Sequence, residues 1–212
     1  MAREQPSWAA LLIGGPSGVG KSTAARDIAL RFGVSWLGVD DLRLAFERSG
    51  VTLPASRATK ALRFFREHPD LGTLRAERLR DGLIGVAEAL APAVEVVVES
   101  HVDQGALIVI EGDGILPSLL TRPPIRARAT GGRVQAIFVV EPDEDAILAT
   151  IVARGRGLDG WNEAQVRTRA RAHWLYGQWL AAEARRHAVV VVEPRPWDTL
   201  AVRIVATQPR SC

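Results

Sequence analysis

This chain of 212 residues has a single cysteine, Cys212, and a single tyrosine. A lone cysteine excludes an internal disulfide framework and fits a reducing compartment. Long apolar runs are lacking as well. The most hydrophobic segments, around Leu11, Val97 and Ile108, fall far short of the ~20 residues that a bilayer crossing needs. The expected compartment is therefore the cytoplasm, with no membrane partner. Lysine is nearly absent: Lys21 and Lys60 are the only two among 27 Lys and Arg residues. The formal net charge is just +3, and no dense basic run with interleaved aromatics occurs, so nucleic acid is not an expected partner. Neither repeat, low-complexity tail nor linker divides the chain. Its length suits one domain over 1–212, as a monomer or homodimer.

One of the two lysines lies in the most informative stretch. Gly15-Pro16-Ser17-Gly18-Val19-Gly20-Lys21-Ser22, followed by Thr23, obeys G-x-x-x-x-G-K-[ST]. The apolar run Trp8–Ile13 precedes it and the helix-prone Ala24–Leu30 follows, the strand–loop–helix setting of a Walker A motif. Glycines let the backbone curl so that its N–H groups surround a polyphosphate at the positive end of a helix. Lys21 is expected on the β- and γ-phosphates of ATP, and the Ser22 hydroxyl on Mg²⁺. A bare glycine turn would need neither side chain.

Apolar runs without alternation at Trp8–Ile13, Val34–Val39, Leu107–Ile110, Val134–Val140 and Val189–Val192 read as strands of a parallel sheet covered on both faces. Helical patterns fall at Lys21–Phe32, Asp41–Arg48, Leu74–Ala89, Pro92–His101, Glu144–Arg154, Glu163–Arg186 and Trp197–Val205. Pro123-Pro124 and Gly131-Gly132 mark a loop between the third and fourth strands. The alternation predicts an α/β fold: a three-layer, doubly wound, five-stranded parallel sheet of the P-loop NTPase type.

Ligands of such sheets bind beyond the carboxyl ends of the strands, so each end is a candidate. The second carries Asp40-Asp41-Leu42-Arg43. Asp40 is the expected general base, accepting a hydroxyl proton from the acceptor, while Asp41 caps the following helix; Arg43 is expected on the acceptor. The third strand runs into Glu111, a Walker B-like acid for Mg²⁺, then Asp113 as a substrate contact. Beyond the fourth, Arg154 and Arg156 lie in a glycine-punctuated stretch that no apolar pattern ties to the core, with Arg167, Arg169 and Arg171 after it. As a group they read as a mobile lid over 154–171, with Arg154 and Arg156 as its catalytic arginines. Glu193-Pro194-Arg195-Pro196-Trp197 ends the fifth strand and could line an adenine pocket, with Arg195 toward the nucleotide.

So placed, these residues resemble the small P-loop kinases of the nucleoside monophosphate kinase-like superfamily. Gly38-Val39-Asp40-Asp41-Leu42 is similar to the second-strand signature of chloramphenicol phosphotransferase-like kinases, which implies the catalytic aspartate role for Asp40. The Asp40–Arg43 spacing is similar to that of adenylylsulfate kinase. Val109-Ile110-Glu111-Gly112 followed by Leu116-Pro117 resembles the third-strand region of archaeal 2-phosphoglycerate kinases, from which Asp113-Gly114 departs by its acid. The resemblance implies that the helical insertion over 48–89 binds the acceptor and that 154–171 is the lid. The expected activity is Mg²⁺-dependent transfer from ATP to a hydroxyl of a small molecule: a metabolite, sugar-like compound, nucleoside or antibiotic. The alternative is an ATP-binding regulatory or accessory NTPase without an acceptor, for which an acceptor-side base would be superfluous.

Overall fold

In a computed structural model, which describes residues 5–50 and 52–208, the five apolar runs are strands of one parallel sheet. Cys212 lies outside the described residues. The strands are β1 (Ala10–Gly14), β2 (Ser35–Gly38), β3 (Ile108–Gly112), β4 (Val134–Val139) and β5 (Val190–Val192), in the order β2-β3-β1-β4-β5. Every residue of β1 and β3 is buried, as strands covered on both faces require. Register sets the site. Ile13 pairs with Glu111, Gly14 with Gly112, and Gly38 with Glu111, so the ends of β1, β2 and β3 converge.

The helices are α1 (Lys21–Phe32), α2 (Val39–Arg48), α3 (Arg57–Leu62), α4 (Phe64–Glu67), α5 (Ala76–Gln104), α6 (Pro123–Thr130), α7 (Glu144–Arg154), α8 (Glu163–Arg186) and α9 (Leu200–Ala206). One core joins the sheet to α5, α6 and most of α8, with Leu90, Val98, Ile110, Phe138 and Tyr176 at its centre. The other joins it to α1, α7 and α9 through Leu11, Ile28, Val139, Ile147 and Ile204. The fold is the expected three-layer, doubly wound sheet.

Three local expectations are corrected. Leu74–Ala89 and Pro92–His101 are not two helices but one of 29 residues, α5. Proline inside a helix costs about 3 kcal/mol. Here Pro92 lies on the exposed face, where water can reach the carbonyl it leaves without a partner, and buried Leu90, Val94, Val98 and Val102 continue one apolar stripe past it. Second, the loop expected at 123–132 contains α6. Pro123 and Pro124 occupy its first turn, where no intrahelical N–H bond is lost. Third, β2 stops at Gly38, and α2 begins at Val39 with Gly38 as its cap residue, so Asp41 is not the cap. Asp40 and Asp41 both stand in the first turn of α2, where the helix dipole favours negative charge.

Candidate active site

The loop between β1 and α1 wraps tightly because its glycines allow it. Gly15 has φ +143°, and a Cβ there would meet the Val139 carbonyl oxygen at 2.2 Å. Gly20, at φ +80°, stands where the cap of α1 would be, with no side chain covering the helix N-terminus. Free N–H groups and the dipole make this end an anion site. A Cβ on Gly20 would also strike the Trp197 ring at 2.7 Å. The β5–α9 turn therefore packs directly on the phosphate loop. Arg203 braces that turn through the carbonyls of Glu193, Pro194 and Pro196. Arg195 does not point free: it donates to buried Glu141 at 2.9 Å.

Lys21 is 5% exposed, and its Nζ donates to the Pro16 carbonyl and to Asp113 Oδ1, both at 2.8 Å. The lysine thus folds over its own loop onto a carboxylate from the end of β3. Asp113 is itself held by its backbone, whose carbonyl accepts from the Tyr176 hydroxyl at 2.5 Å. Glu111, 7% exposed, lies beside Lys21 with the Ser22 hydroxyl in hydrogen-bonding range. Burial pushes the Glu111 carboxyl above its usual 4.5, against the pull of Lys21 and Ser22. A cation relieves such a carboxylate, so Ser22 and Glu111 fit Mg²⁺, which keeps several waters and needs few protein ligands.

Asp40 and Ser17 open into one cavity of about 700 Å³. Arg43, Asp113, Arg156, Arg169 and His173 line it too, together with Leu79, Leu83, Val86 and Leu90 of α5. The Asp40 side chain, although it lines this cavity, is 70% exposed. Protein crowding around it raises the carboxyl from 3.8, and Asp113 adds to this while Arg43 and Lys21 oppose. Arg43 Nε stands 3.6 Å from Asp40 and its Nη1 donates to both oxygens of Glu47, at 3.1 and 3.0 Å.

The stretch after Arg154 differs from its expected looseness. Leu158 and Trp161 pack on the second core, and Arg169 donates to the carbonyls of Arg156 and Gly157 at 3.2 and 3.0 Å. Arg154 and Arg156 are exposed; Arg156 lines the cavity and Arg154 does not. Sequence reasoning missed His173 and Tyr176, and saw Arg169 only within a group. Arg169 and His173 are one turn apart on α8, a spacing that could have singled them out. Burial lowers the His173 pKa to about 4, against the pull of Asp113, and its Nδ1 has no partner.

The loop, the strand order and the converging ends define the fold of a small P-loop kinase. No protein-family model matches the chain. It is 30% identical over 112 residues to the 2-phosphoglycerate kinase of Pyrococcus furiosus, covering 52% of this chain and 36% of that one. Identity to the 2-phosphoglycerate kinase of Methanothermobacter thermautotrophicus is 28% over 193 residues, 86% of this chain and 60% of the other. The chain therefore spans between about a third and three-fifths of the length of these relatives. In structure it resembles a gluconokinase from Sinorhizobium meliloti 1021, with a TM-score of 0.51 and 15% identity, over 95% of this chain and 92% of that one. Among the described residues no helix is long and apolar enough to cross a membrane.

Proposed function

We propose that the chain transfers the γ-phosphoryl group of ATP to a hydroxyl of a small-molecule acceptor. The observation that carries this is the single cavity into which both the phosphate loop, at Ser17, and Asp40 open. A nucleotide on the loop and an acceptor in the cavity would meet without solvent between them. The likeness in sequence to 2-phosphoglycerate kinases supports the same class.

In this reading the N–H groups of Gly15 and of Ser17 to Thr23 seat the phosphates, with Pro16 shaping the turn. Lys21 exchanges Asp113 for the β- and γ-phosphates, keeping one anionic partner throughout. Ser22 and Glu111 would hold Mg²⁺, which would neutralise phosphate charge. Asp40 takes the acceptor's hydroxyl proton as the new O–P bond forms and the bond to the β-phosphate bridging oxygen breaks, leaving ADP. Arg43 holds Asp40 in place, and Asp113 contacts the acceptor once Lys21 has left it. Residues 48–89 supply the acceptor wall, and 154–171 act as the lid, with Arg154 and Arg156 turning to the phosphates on closure. Trp197 and Arg195 border the base. The chain works in the cytoplasm as a monomer or homodimer.

Asp40→Asn tests the reading. Its amide keeps the shape but cannot take a proton, so transfer from radiolabelled ATP across a panel of hydroxylated metabolites and antibiotics should fall about 10²-fold or more. ATP binding should persist. Transfer within a few-fold of wild type would remove Asp40 as base. ATP hydrolysis with no acceptor labelled anywhere in the panel would favour the accessory NTPase instead.

A further inference from the structure

The lining of the cavity beside the phosphate loop divides by chemistry into two halves. Leu79, Leu83, Val86 and Leu90 recur at three- and four-residue steps along α5, with Leu71 adding to this apolar wall and the Phe65 ring lying under the Arg43 guanidinium at 5.2 Å. The charged half is mostly basic. Of its acids, Asp113 is engaged by Lys21 and Asp40 faces Arg43, which Glu47 also holds. Arg48, Arg156 and Arg169 also line the cavity, and none of the three pairs with a carboxylate among the described residues. Arg169 is the most confined: half-buried, stacked over Trp161 at 5.7 Å and bonded only to backbone carbonyls. The carboxylate whose charge acts on it is that of Asp113, which Lys21 already engages, and the guanidinium fork suits an oxyanion.

Resting on the kinase reading above, we infer that the acceptor is an amphipathic hydroxylated oxyanion: a carboxylate or phosphate monoester on a hydrocarbon body, its anion on Arg169 and its body against α5. A compact, wholly polar acid would leave the α5 wall wet. A neutral apolar alcohol would leave Arg169 without a counter-charge of its own. Molecules that satisfy both halves bury apolar area and pair the arginine at once.

The test is calorimetric binding to the full chain, with and without AMP-PNP and Mg²⁺. The probes are 3-phenyllactate, phenyl phosphate, glycerate and 3-phenylpropane-1,2-diol. One of the two aromatic anions should bind at least tenfold more tightly than glycerate and than the diol, and the tighter one names the anion. Arg169→Gln should erase the margin of acid over diol, and Leu83→Ser should shrink that of phenyllactate over glycerate several-fold. A misfolded variant would lose all four probes together rather than one margin. Glycerate binding as well as the tighter of the two aromatic anions, no binding of either aromatic anion, or Arg169→Gln weakening AMP-PNP and sparing that anion would each overturn the inference. Failure of wild type to bind AMP-PNP would instead sink the kinase reading, and the nucleotide-free titrations would still decide the cavity's preference.

Discussion

The phosphate loop and the acceptor cavity meet at Asp113, yet they are built in opposite ways. The loop is one contiguous run, Gly15 to Thr23, and its binding groups are largely backbone N–H. Its shape is set by close contacts, with Val139 behind Gly15 and Trp197 against Gly20. The cavity instead gathers side chains from α2, α5, the end of β3 and α8. Among the described residues its His173 Nδ1 has no partner, and Arg48, Arg156 and Arg169 pair with no carboxylate. A site whose ligand recurs across many proteins can be built into backbone. One whose ligand is particular must be assembled from side chains, and it keeps unpaired groups for that ligand.

The sharpest way to break this contrast is Lys21→Ala. If the loop's single charged side chain carries the phosphoryl transfer, turnover should fall by about 10³-fold or more, the scale of losing one aimed electrostatic group. Steady-state rates on folded protein decide it. Near wild-type turnover would mean that Gly15–Ser22 is not the active phosphate loop.

The same contrast explains what was legible beforehand. The strands fall on the unbroken apolar runs, though those runs do not give their order in the sheet, and α1, α7 and α8 have the bounds that periodicity predicts. The loop is a pattern of adjacent residues, so sequence displays it. The cavity is not adjacent in sequence: Asp40 and His173 meet only because the chain folds α8 across from α2. Pro92 misled because a proline's cost is local, while the stripe from Leu79 to Val102 that overrides it is tertiary. Leu158 and Trp161 were overlooked as anchors for a similar reason: two apolar residues in a glycine-rich stretch have no period. Pairings such as Lys21 with Asp113, 92 residues apart, leave no linear trace.

His173 tests the cavity's half of the comparison through stability. Its pKa falls from 6.5 to about 4 on folding, because burial disfavours the imidazolium, with Asp113 pulling the other way and Arg169 and Lys21 reinforcing the drop. Above pH 6.5 both folded and unfolded states hold it neutral and nothing is lost. As pH falls below 6.5 the unfolded chain takes up the proton first. Stability should therefore drop progressively toward pH 4, by ~3 kcal/mol at most. Denaturant titrations of wild type and His173→Leu between pH 7 and 4.5 should diverge, with the variant flatter. Parallel curves would show that His173 titrates as it does in the unfolded chain.

A smaller effect is expected at the lid. Arg154→Ala and Arg156→Ala should each lower kcat, by roughly tenfold for whichever reaches the phosphates, and change the acceptor's KM less, because a contact made on closure strengthens in the transition state. Arg156 already lines the cavity and Arg154 does not, so Arg156→Ala should show the larger loss. If KM rises while kcat holds, the arginine belongs to acceptor binding and not to the lid.

The finest test is Asp113→Asn, which acts where the two regions join. Asp113 raises the Asp40 pKa by its negative charge, second only to desolvation. A general base must be deprotonated to work, so kcat/KM should decline on the acid side as Asp40 picks up its proton, at a pH above the ordinary aspartate value of 3.8. Taking away the neighbouring charge lowers the Asp40 pKa, and the acid limb should move to lower pH. The same change frees Lys21 from its 2.8 Å partner, so ATP no longer displaces a carboxylate to reach the lysine, and nucleotide affinity should rise by about fivefold, the net worth of one typical hydrogen bond of ~1 kcal/mol. The two readouts are independent. An acid limb that stays put while affinity rises would leave Asp113 as the keeper of Lys21 and assign the limb to another group. A limb that shifts with unchanged affinity would mean that Lys21 leaves Asp113 at no cost, and the loop and the cavity would then be coupled through charge alone.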